Sequence, residues 1–415
     1  MPSLPADIGE QLLARARQLA ACSDEDGKLT RLFLSPAQRA ASAKVAAWMG
    51  AAGMAVRIDA IGNVIGRYEG EHPDGPALIV GSHLDTVRDA GMFDGLYGVL
   101  AAIECVGALA REGRRLPFAI EVVGFAEEEG VRFGTGMLGS RAIAGTFDPA
   151  WLAYRDRDGL AMGAALSAYG LDPHGIGEAA KRRADVLAYL ELHIEQGPVL
   201  ERQALPVGIV TSINGSIRAE VTITGLAGHA GTVPMDARKD ALAAAAECVL
   251  AVEARCRAEP GLVGTVGSLA VSPGAINVIP GETRFTLDVR ASDDALRRQA
   301  LDDILAAIRA IAARRGVRVA DRVVHELATA PCAPWLMRQI EGAVVAEGLP
   351  PFRLPSGAGH DGMAMIAIAD IGMIFIRCAG GISHNPAESI SAADAALGAR
   401  VLLRVIADFA PASAP

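Results

Sequence analysis

Cysteine is scarce and unpatterned in this chain. Six residues, at positions 22, 105, 248, 256, 332 and 378, contain no C-x-x-C pair. Cys105 and Cys248 fall in apolar helical stretches, so they read as buried thiols of a reducing compartment. Long apolar runs are missing too: no stretch of eighteen apolar residues occurs, which leaves no candidate transmembrane helix. The mean hydropathy is nonetheless +0.29, and alanine supplies much of it. Positive charge is in deficit, with 39 Lys and Arg against 48 Asp and Glu, a net charge of −9 and a pI near 5.5. That balance argues against a nucleic-acid-binding surface. The opening residues lack the basic and apolar segments of a secretory leader. Internal repeats and low-complexity tracts are not evident. The expectation is a cytoplasmic protein with neither a membrane nor a nucleic-acid partner.

What is present is globular: 51% of the 415 residues are hydrophobic and 21% charged, and the length suits two domains. The chain is organised around residues 77–95. Ala77-Leu78-Ile79-Val80, bounded by Pro76 and Gly81, reads as a buried strand of a parallel sheet. Leu96, Val99, Leu100, Ile103, Val106 and Leu109 then recur at helical spacing up to Gly113. His83, Asp85 and Asp94 sit between that strand end and helix start, where open α/β sheets keep their ligand crevice. An imidazole, a carboxylate two residues on and a second carboxylate at a helix N-terminus suit a metal site. Asp85 can orient the His83 ring, since metal-bound imidazoles usually donate their other N–H to a carboxylate or carbonyl. Alone, such a loop is more often ordinary surface than a site.

The rest of the chain supplies partners. Residues 7–21 and 36–52 predict helices, Met54 to Tyr68 a hairpin around Gly62-Asn63, and Phe118 to Phe125 a strand running into Glu127-Glu128-Glu129-Gly130. Leu187 to Ile194 is a further strand. From about residue 214 the pattern changes. Strands at Ile217–Thr224, Val263–Val271, Thr283–Ala291 and Val317–Val324 alternate with helices at Asp236–Glu259 and Asp293–Arg315. The order β-α-β-β-α-β is the ferredoxin-like split unit. A helix at Ala333–Glu347, a strand at Gly372–Cys378 and a helix at Ala392–Phe409 resume the earlier pattern. The expected layout is a discontinuous first domain, residues 1–213 and 327–415, interrupted by an inserted domain at 214–326.

Glu128 and Glu129 follow one strand end, His193 lies near another, and His384 sits in the Gly380–Pro386 loop. With His83 and Asp94 they place His, Asp, Glu, His and His at strand-to-helix junctions of one domain. Gly357-Ala358-Gly359-His360-Asp361-Gly362 matches the dinucleotide fingerprint G-x-G-x-x-G. No clear strand precedes it, because Pro351 and Pro355 crowd that position, and it reads as a loop bringing backbone close to a substrate.

Here the chain resembles a family. Gly-Ser-His-Leu-Asp-Thr-Val, Phe-Asp-Gly, Glu-Glu-Gly-Val-Arg-Phe, Glu-Leu-His-Ile-Glu-Gln-Gly-Pro-Val-Leu-Glu, Gly-His-Ala-Gly-Thr-Val-Pro-Met, Asn-Val-Ile-Pro-Gly, Ser-Gly-Ala-Gly-His-Asp and Ile-Ser-His-Asn-Pro-Ala-Glu look like the amidase, hydantoinase/carbamoylase family. The motifs run in the family's order from residue 81 to residue 388. The family comprises dinuclear metal amidohydrolases related to aminoacylases and metallo-carboxypeptidases. The resemblance implies an α/β fold: a di-metal aminopeptidase-like α/β/α catalytic domain with an inserted ferredoxin-like lid and dimerisation domain. It implies that His83, Asp94, Glu129, His193 and His384 bind two divalent ions, with Asp94 bridging and Glu128 as general base. With no cysteine ligand, such a site suits zinc or manganese, with nickel or cobalt as alternatives.

The resemblance also implies the substrate groups. Arg290 would bind a substrate carboxylate with its guanidinium fork. Asn277 would donate its amide beside it, Gln196 would bind the ureido group, and His360 would add a polar contact. His229 would close over the substrate oxyanion from the partner subunit of a homodimer formed through the inserted domain. The implied reaction is hydrolysis of a ureido carbon–nitrogen bond on a small carboxylate, with allantoate first and an N-carbamoyl-L-amino acid or β-ureidopropionate as the alternative. A non-catalytic ligand sensor on the same fold is the rival from another class, and the complete ligand set with Glu128 speaks against it.

Overall fold

The apolar run after Pro76 forms a strand that reaches the histidine, and every residue of Ala77–His83 is buried. Ala119–Phe125 is likewise buried throughout, and Val186–Ile194 nearly so. Continuous apolar runs of this kind are covered on both faces, which is the setting of parallel strands. Ala77–His83 lies parallel between those two, and Ile371–Ile376 pairs parallel on the far side of Val186–Ile194. The hairpin Ala55–Ile58 and Val64–Tyr68 extends the sheet antiparallel on Ala119–Phe125, and Val207–Ile213 extends it antiparallel on Ile371–Ile376. The result is a mixed sheet with a parallel centre.

The structure, a computed structural model, describes residues 2–412. Its contacts divide the chain into two units. One holds the residues up to Thr211 and from Cys332 onward, and the other is Ser212–Pro331. In the first, helix Leu96–Arg111 is buried along almost its whole length. It packs on the central strands and against helices Ile8–Ala20 and Ala392–Ala407. Helix Pro36–Ala51 starts as its sequence predicts, with the Ser35 side chain accepting from the Gln38 N–H and proline in the first turn.

The second unit is an antiparallel sheet carrying two helices. Glu282–Ala291 pairs with Gly215–Thr224, which pairs in turn with Arg318–Leu327. Helices Ala241–Arg257 and Asp294–Arg315 cover one face, enclosing Ile217, Val221, Phe285, Leu287, Ile304 and Ile308. Two expectations are corrected here. Val263–Val271 is not one strand but two, Val263–Thr265 and Leu269–Ser272, both paired to Glu282–Ala291. The break falls where the Ser268 N–H turns to the Thr286 hydroxyl. The helix expected from Asp236 begins instead at Ala241, because Asp240 caps the N–H groups of Leu242 and Ala243. A short strand, Arg353–Ser356, does precede the Gly357–Gly362 run, but only four helical residues follow it, too few to cradle a dinucleotide.

Candidate metal centre

The five predicted ligands converge because the strands bearing them are neighbours in register. His83 ends Ala77–His83, Glu128 and Glu129 follow Ala119–Phe125, His193 is the next-to-last residue of Val186–Ile194, and His384 follows Ile371–Ile376. Asp94 lies just ahead of helix Leu96–Arg111 and stands at the middle of the cluster. Its Oδ1 lies 3.6 Å from His83 Nε2 and 3.2 Å from His193 Nε2, while its Oδ2 lies 3.1 Å from His384 Nε2. His384 Nε2 is also 3.5 Å from Glu129 Oε1. Two overlapping groups result: His83, Asp94 and His193, and Asp94, Glu129 and His384, each with ligand atoms within 4.8 Å of one another. A third joins Glu128 to His83 and Glu129. Glu127 enters none of these three groups.

Asp94 Oδ1 is buried and has no hydrogen-bond donor. A buried carboxylate oxygen without a donor is costly unless a cation takes its lone pairs. Imidazoles and carboxylates without a thiolate are the donor set of zinc, manganese, nickel or cobalt, so the residues present fit divalent ions. The electrostatics agree. Burial would raise the Asp94 carboxyl, but contacts with His193, His384 and His83 outweigh it and hold it well below the usual range. Burial likewise opposes protonation of His83, yet Asp85 and Asp94 leave its imidazole well above its ordinary value. Burial, with the Asp94 charge behind it, pushes Glu129 up to about 7. Burial also raises Glu128 well above an ordinary carboxyl.

The loop bearing the acidic pair is held on several sides. The Asp85 carboxylate accepts the N–H groups of Glu128 at 3.0 Å and Glu129 at 3.1 Å. The His83 ring makes its shorter contact with the Asp85 backbone carbonyl, 3.1 Å from Nδ1, and the Asp85 carboxylate is 3.5 Å away. Asp85 thus fixes the ring through its main chain and the acidic pair through its side chain. Asn63, fully buried, accepts from the Ala126 N–H and donates to the Gly139 carbonyl, and Gln38 donates to the Ala126 carbonyl. Arg31, also fully buried, donates to the carbonyls of Leu84, Leu19 and Cys22. Gly95 has φ +65°, and a side chain there would run into the His83 ring. Sequence reasoning missed Asn63, Gln38, Arg31 and Gly95 as supports of the site. Only Gly95, within the Phe-Asp-Gly motif, carried a local signal.

The other candidates fall into two sets. Gln196, with φ +58°, directs Nε2 to Asp94 Oδ2 at 3.0 Å and Ser383 Oγ at 3.2 Å, and leaves Oε1 buried without a partner. His360 is 1% exposed, stacks edge-on against His193 at 4.5 Å and shares a 2.8 Å hydrogen bond with Ser356. Within Ser212–Pro331, His229 and Asn277 are brought together. Gly228–His229 pairs with Val278–Ile279, and Ala230 N–H donates to the Asn277 carbonyl. His229 Nδ1 accepts from the Gly231 N–H, so the neutral ring carries its proton on exposed Nε2. Arg290 is half-buried, and its fork lies on the Asp288 carboxylate at 2.8 and 3.1 Å.

Comparison with known proteins adds the lineage. The model of Peptidase family M20/M25/M40 matches residues 79–408. An N-carbamoyl-L-amino acid amidohydrolase of Geobacillus stearothermophilus is 45% identical over 399 residues, covering 96% of this chain and 98% of the relative. Allantoate deiminase 1 of Glycine max is 38% identical over 417 residues, covering 93% and 86%. A crystal structure of an amidase of the hydantoinase/carbamoylase family from Burkholderia multivorans superposes with a TM-score of 0.90 at 33% identity, covering 98% of both chains. M20 proteins are di-metal dependent. With its own clustered ligands and these relatives, the chain belongs to Peptidase family M20/M25/M40, among the hydantoinase/carbamoylase amidases.

Proposed function

We propose that this protein is a two-metal amidohydrolase that cleaves the ureido carbon–nitrogen bond of a small carboxylate, with allantoate as its substrate. The carrying observation is Asp94, whose two oxygens face separate ligand groups from the centre of the cluster. In this reading His83, His193 and Asp94 hold one ion, and Asp94, Glu129 and His384 hold the other, zinc or manganese before nickel or cobalt. When bound, such a pair polarises a carbonyl oxygen and lowers the pKa of a water toward neutrality.

The chain's own groups do the rest. Glu128 takes the proton of the attacking water and returns it to the leaving nitrogen; burial raises its carboxyl above the ordinary carboxylate value. Gln196 Oε1, a buried acceptor without a donor, is suited to a ureido N–H. His229 presents its Nε2–H to the developing oxyanion, and Asn277 beside it donates its amide to the substrate. Arg290 anchors the carboxylate, which then competes with Asp288 for the guanidinium fork. His360, buried behind His193, acts through that ring rather than by open contact with substrate. The inserted unit is the proposed dimerisation element. Support comes from the exposed apolar side chains Leu250, Leu269, Val323 and Val324 on its surface.

The 45% identity to the Geobacillus stearothermophilus N-carbamoyl-L-amino acid amidohydrolase supports a second reading, hydrolysis of N-carbamoyl-L-amino acids. A substrate panel separates the two. Allantoate has a second ureido arm, and a pocket built to hydrogen-bond it rejects an analogue lacking it. Allantoate is expected to exceed N-carbamoylglycine in kcat/KM by at least about 10²-fold. Comparable values, or preference for N-carbamoyl-L-amino acids with bulky side chains, overturn the allantoate assignment.

A further inference from the structure

One buried carboxylate near the cluster has no place in the proposed chemistry. Glu388 is 2% exposed and lies at the end of the Ile-Ser-His-Asn-Pro-Ala-Glu segment. Its Oε1 accepts two backbone N–H groups, those of Phe93 at 2.8 Å and Asp94 at 3.1 Å. Its Oε2 accepts the hydroxyl of Ser383 at 2.8 Å. Ser383 Oγ in turn stands 3.4 Å from Asp94 Oδ2, and the next residue is His384, held at φ +55°. The Glu388 N–H donates to the Asn385 carbonyl at 3.0 Å, a turn that folds the side chain back over its own loop. On the other side, Gly91 has no room for a β-carbon because the Glu388 side chain occupies that space. One carboxylate thus joins the backbone at Asp94 to the segment carrying His384, nearly three hundred residues later in the chain.

We propose that Glu388 is a positioning residue that sets the separation of the Asp94 and His384 loops, and so the affinity of the site for its ions. This rests on the metal-centre reading above. Asp94 reaches both ligand groups, so its backbone must be fixed more closely than that of a ligand serving one ion. A shift near 1 Å would turn one oxygen away from its imidazoles. Without the carboxylate, the Phe93 and Asp94 N–H groups lose their acceptor in a buried place, and the loop must rearrange to recover one. Glutamine of the same shape keeps Oε1 as acceptor for both N–H groups. Its amide can donate to Ser383 Oγ, whose hydroxyl then turns elsewhere.

The test is a Zn²⁺ titration against a competing chelator on metal-free wild type, Glu388→Ala and Glu388→Gln, with thermal melts of the metal-free proteins alongside. Glu388→Ala is expected to keep a cooperative melt and bind the ions about 10–100-fold more weakly. It is also expected to regain turnover in excess Zn²⁺ with KM unchanged, and Glu388→Gln to bind close to wild type. Wild-type affinity in Glu388→Ala, or equal weakening in both variants, overturns the proposal. If Glu388→Ala fails to fold, Ser383→Ala decides in the same titration, read against Gln196→Ala: it removes the contact to Oε2 together with those of Ser383 Oγ to Gln196 and Asp94, and leaves the Phe93 and Asp94 N–H groups on Oε1. Unchanged affinity there also overturns it. A wild type that takes up no ions contradicts the metal-centre reading itself, a result distinct from two ions bound alike by all variants.

Discussion

Glu128 and Glu129 are adjacent, yet their surroundings differ in the way the proposed roles of base and ligand require. Glu129 enters two groups, one with Asp94 and His384 and one with His83, whereas Glu128 enters only the one with His83. Glu128→Gln is therefore expected to retain both metals and to lose at least about 10²-fold in kcat. Metal content and turnover measured on the same sample check this, and near-normal turnover at full occupancy would reassign the base. Gly95 sets a steric limit on the same cluster. A methyl group at this position meets the His83 ring, and φ +65° disfavours any side chain. Gly95→Ala is expected to fold with its helix displaced from His83 and to bind fewer ions per chain, read by elemental analysis after dialysis. Full occupancy in that variant would mean that the loop yields without disturbing the ligand.

At the scale of elements, the site is a product of strand ends, and the stretch from Glu127 to Gly130 depends on loops far from it in sequence. Asp85 holds the Glu128 and Glu129 N–H groups, so Asp85→Ala should loosen ligand and base together. The expected loss is about 10–100-fold in metal affinity. Asp85→Asn, which keeps one carbonyl oxygen, should fall between, and an unchanged affinity in both would confine Asp85 to packing. What the sequence made legible follows the same division. The central strands are continuous apolar runs, and Ser35-Pro36 marks a helix start, so those elements were readable from period and capping. Val207–Ile213 and Gly228–His229 were not, since their pairing depends on partners at Ile371–Ile376 and Val278–Ile279. The ligand residue types were visible at strand ends, but the supporting set was not. Asn63, Gln38 and Arg31 act through side-chain hydrogen bonds to backbone groups elsewhere in the chain, which leave no period or spacing in the sequence.

At the scale of the whole molecule, ions bound only by the folded chain must stabilise it. A hundredfold excess of metal over its Kd adds about 2.7 kcal/mol per site by mass action. Chelation is thus expected to lower Tm, and re-addition of Zn²⁺ or Mn²⁺ to restore it; a melt indifferent to metal would deny a preformed site. If His229 serves the neighbouring subunit, His229→Ala and Glu128→Gln proteins should each be nearly inactive, and verified mixed dimers should recover part of the activity. Failure to complement would place His229 in its own subunit's site. The most direct single measurement is ammonia release from allantoate and N-carbamoyl-L-amino acids by metal-stripped protein, before and after it is reloaded to a measured ion content. The expected result is negligible release when stripped and turnover that rises as the content approaches about two ions per chain. Protein carrying two ions that releases no ammonia from any ureido carboxylate would contradict a two-metal ureido hydrolase.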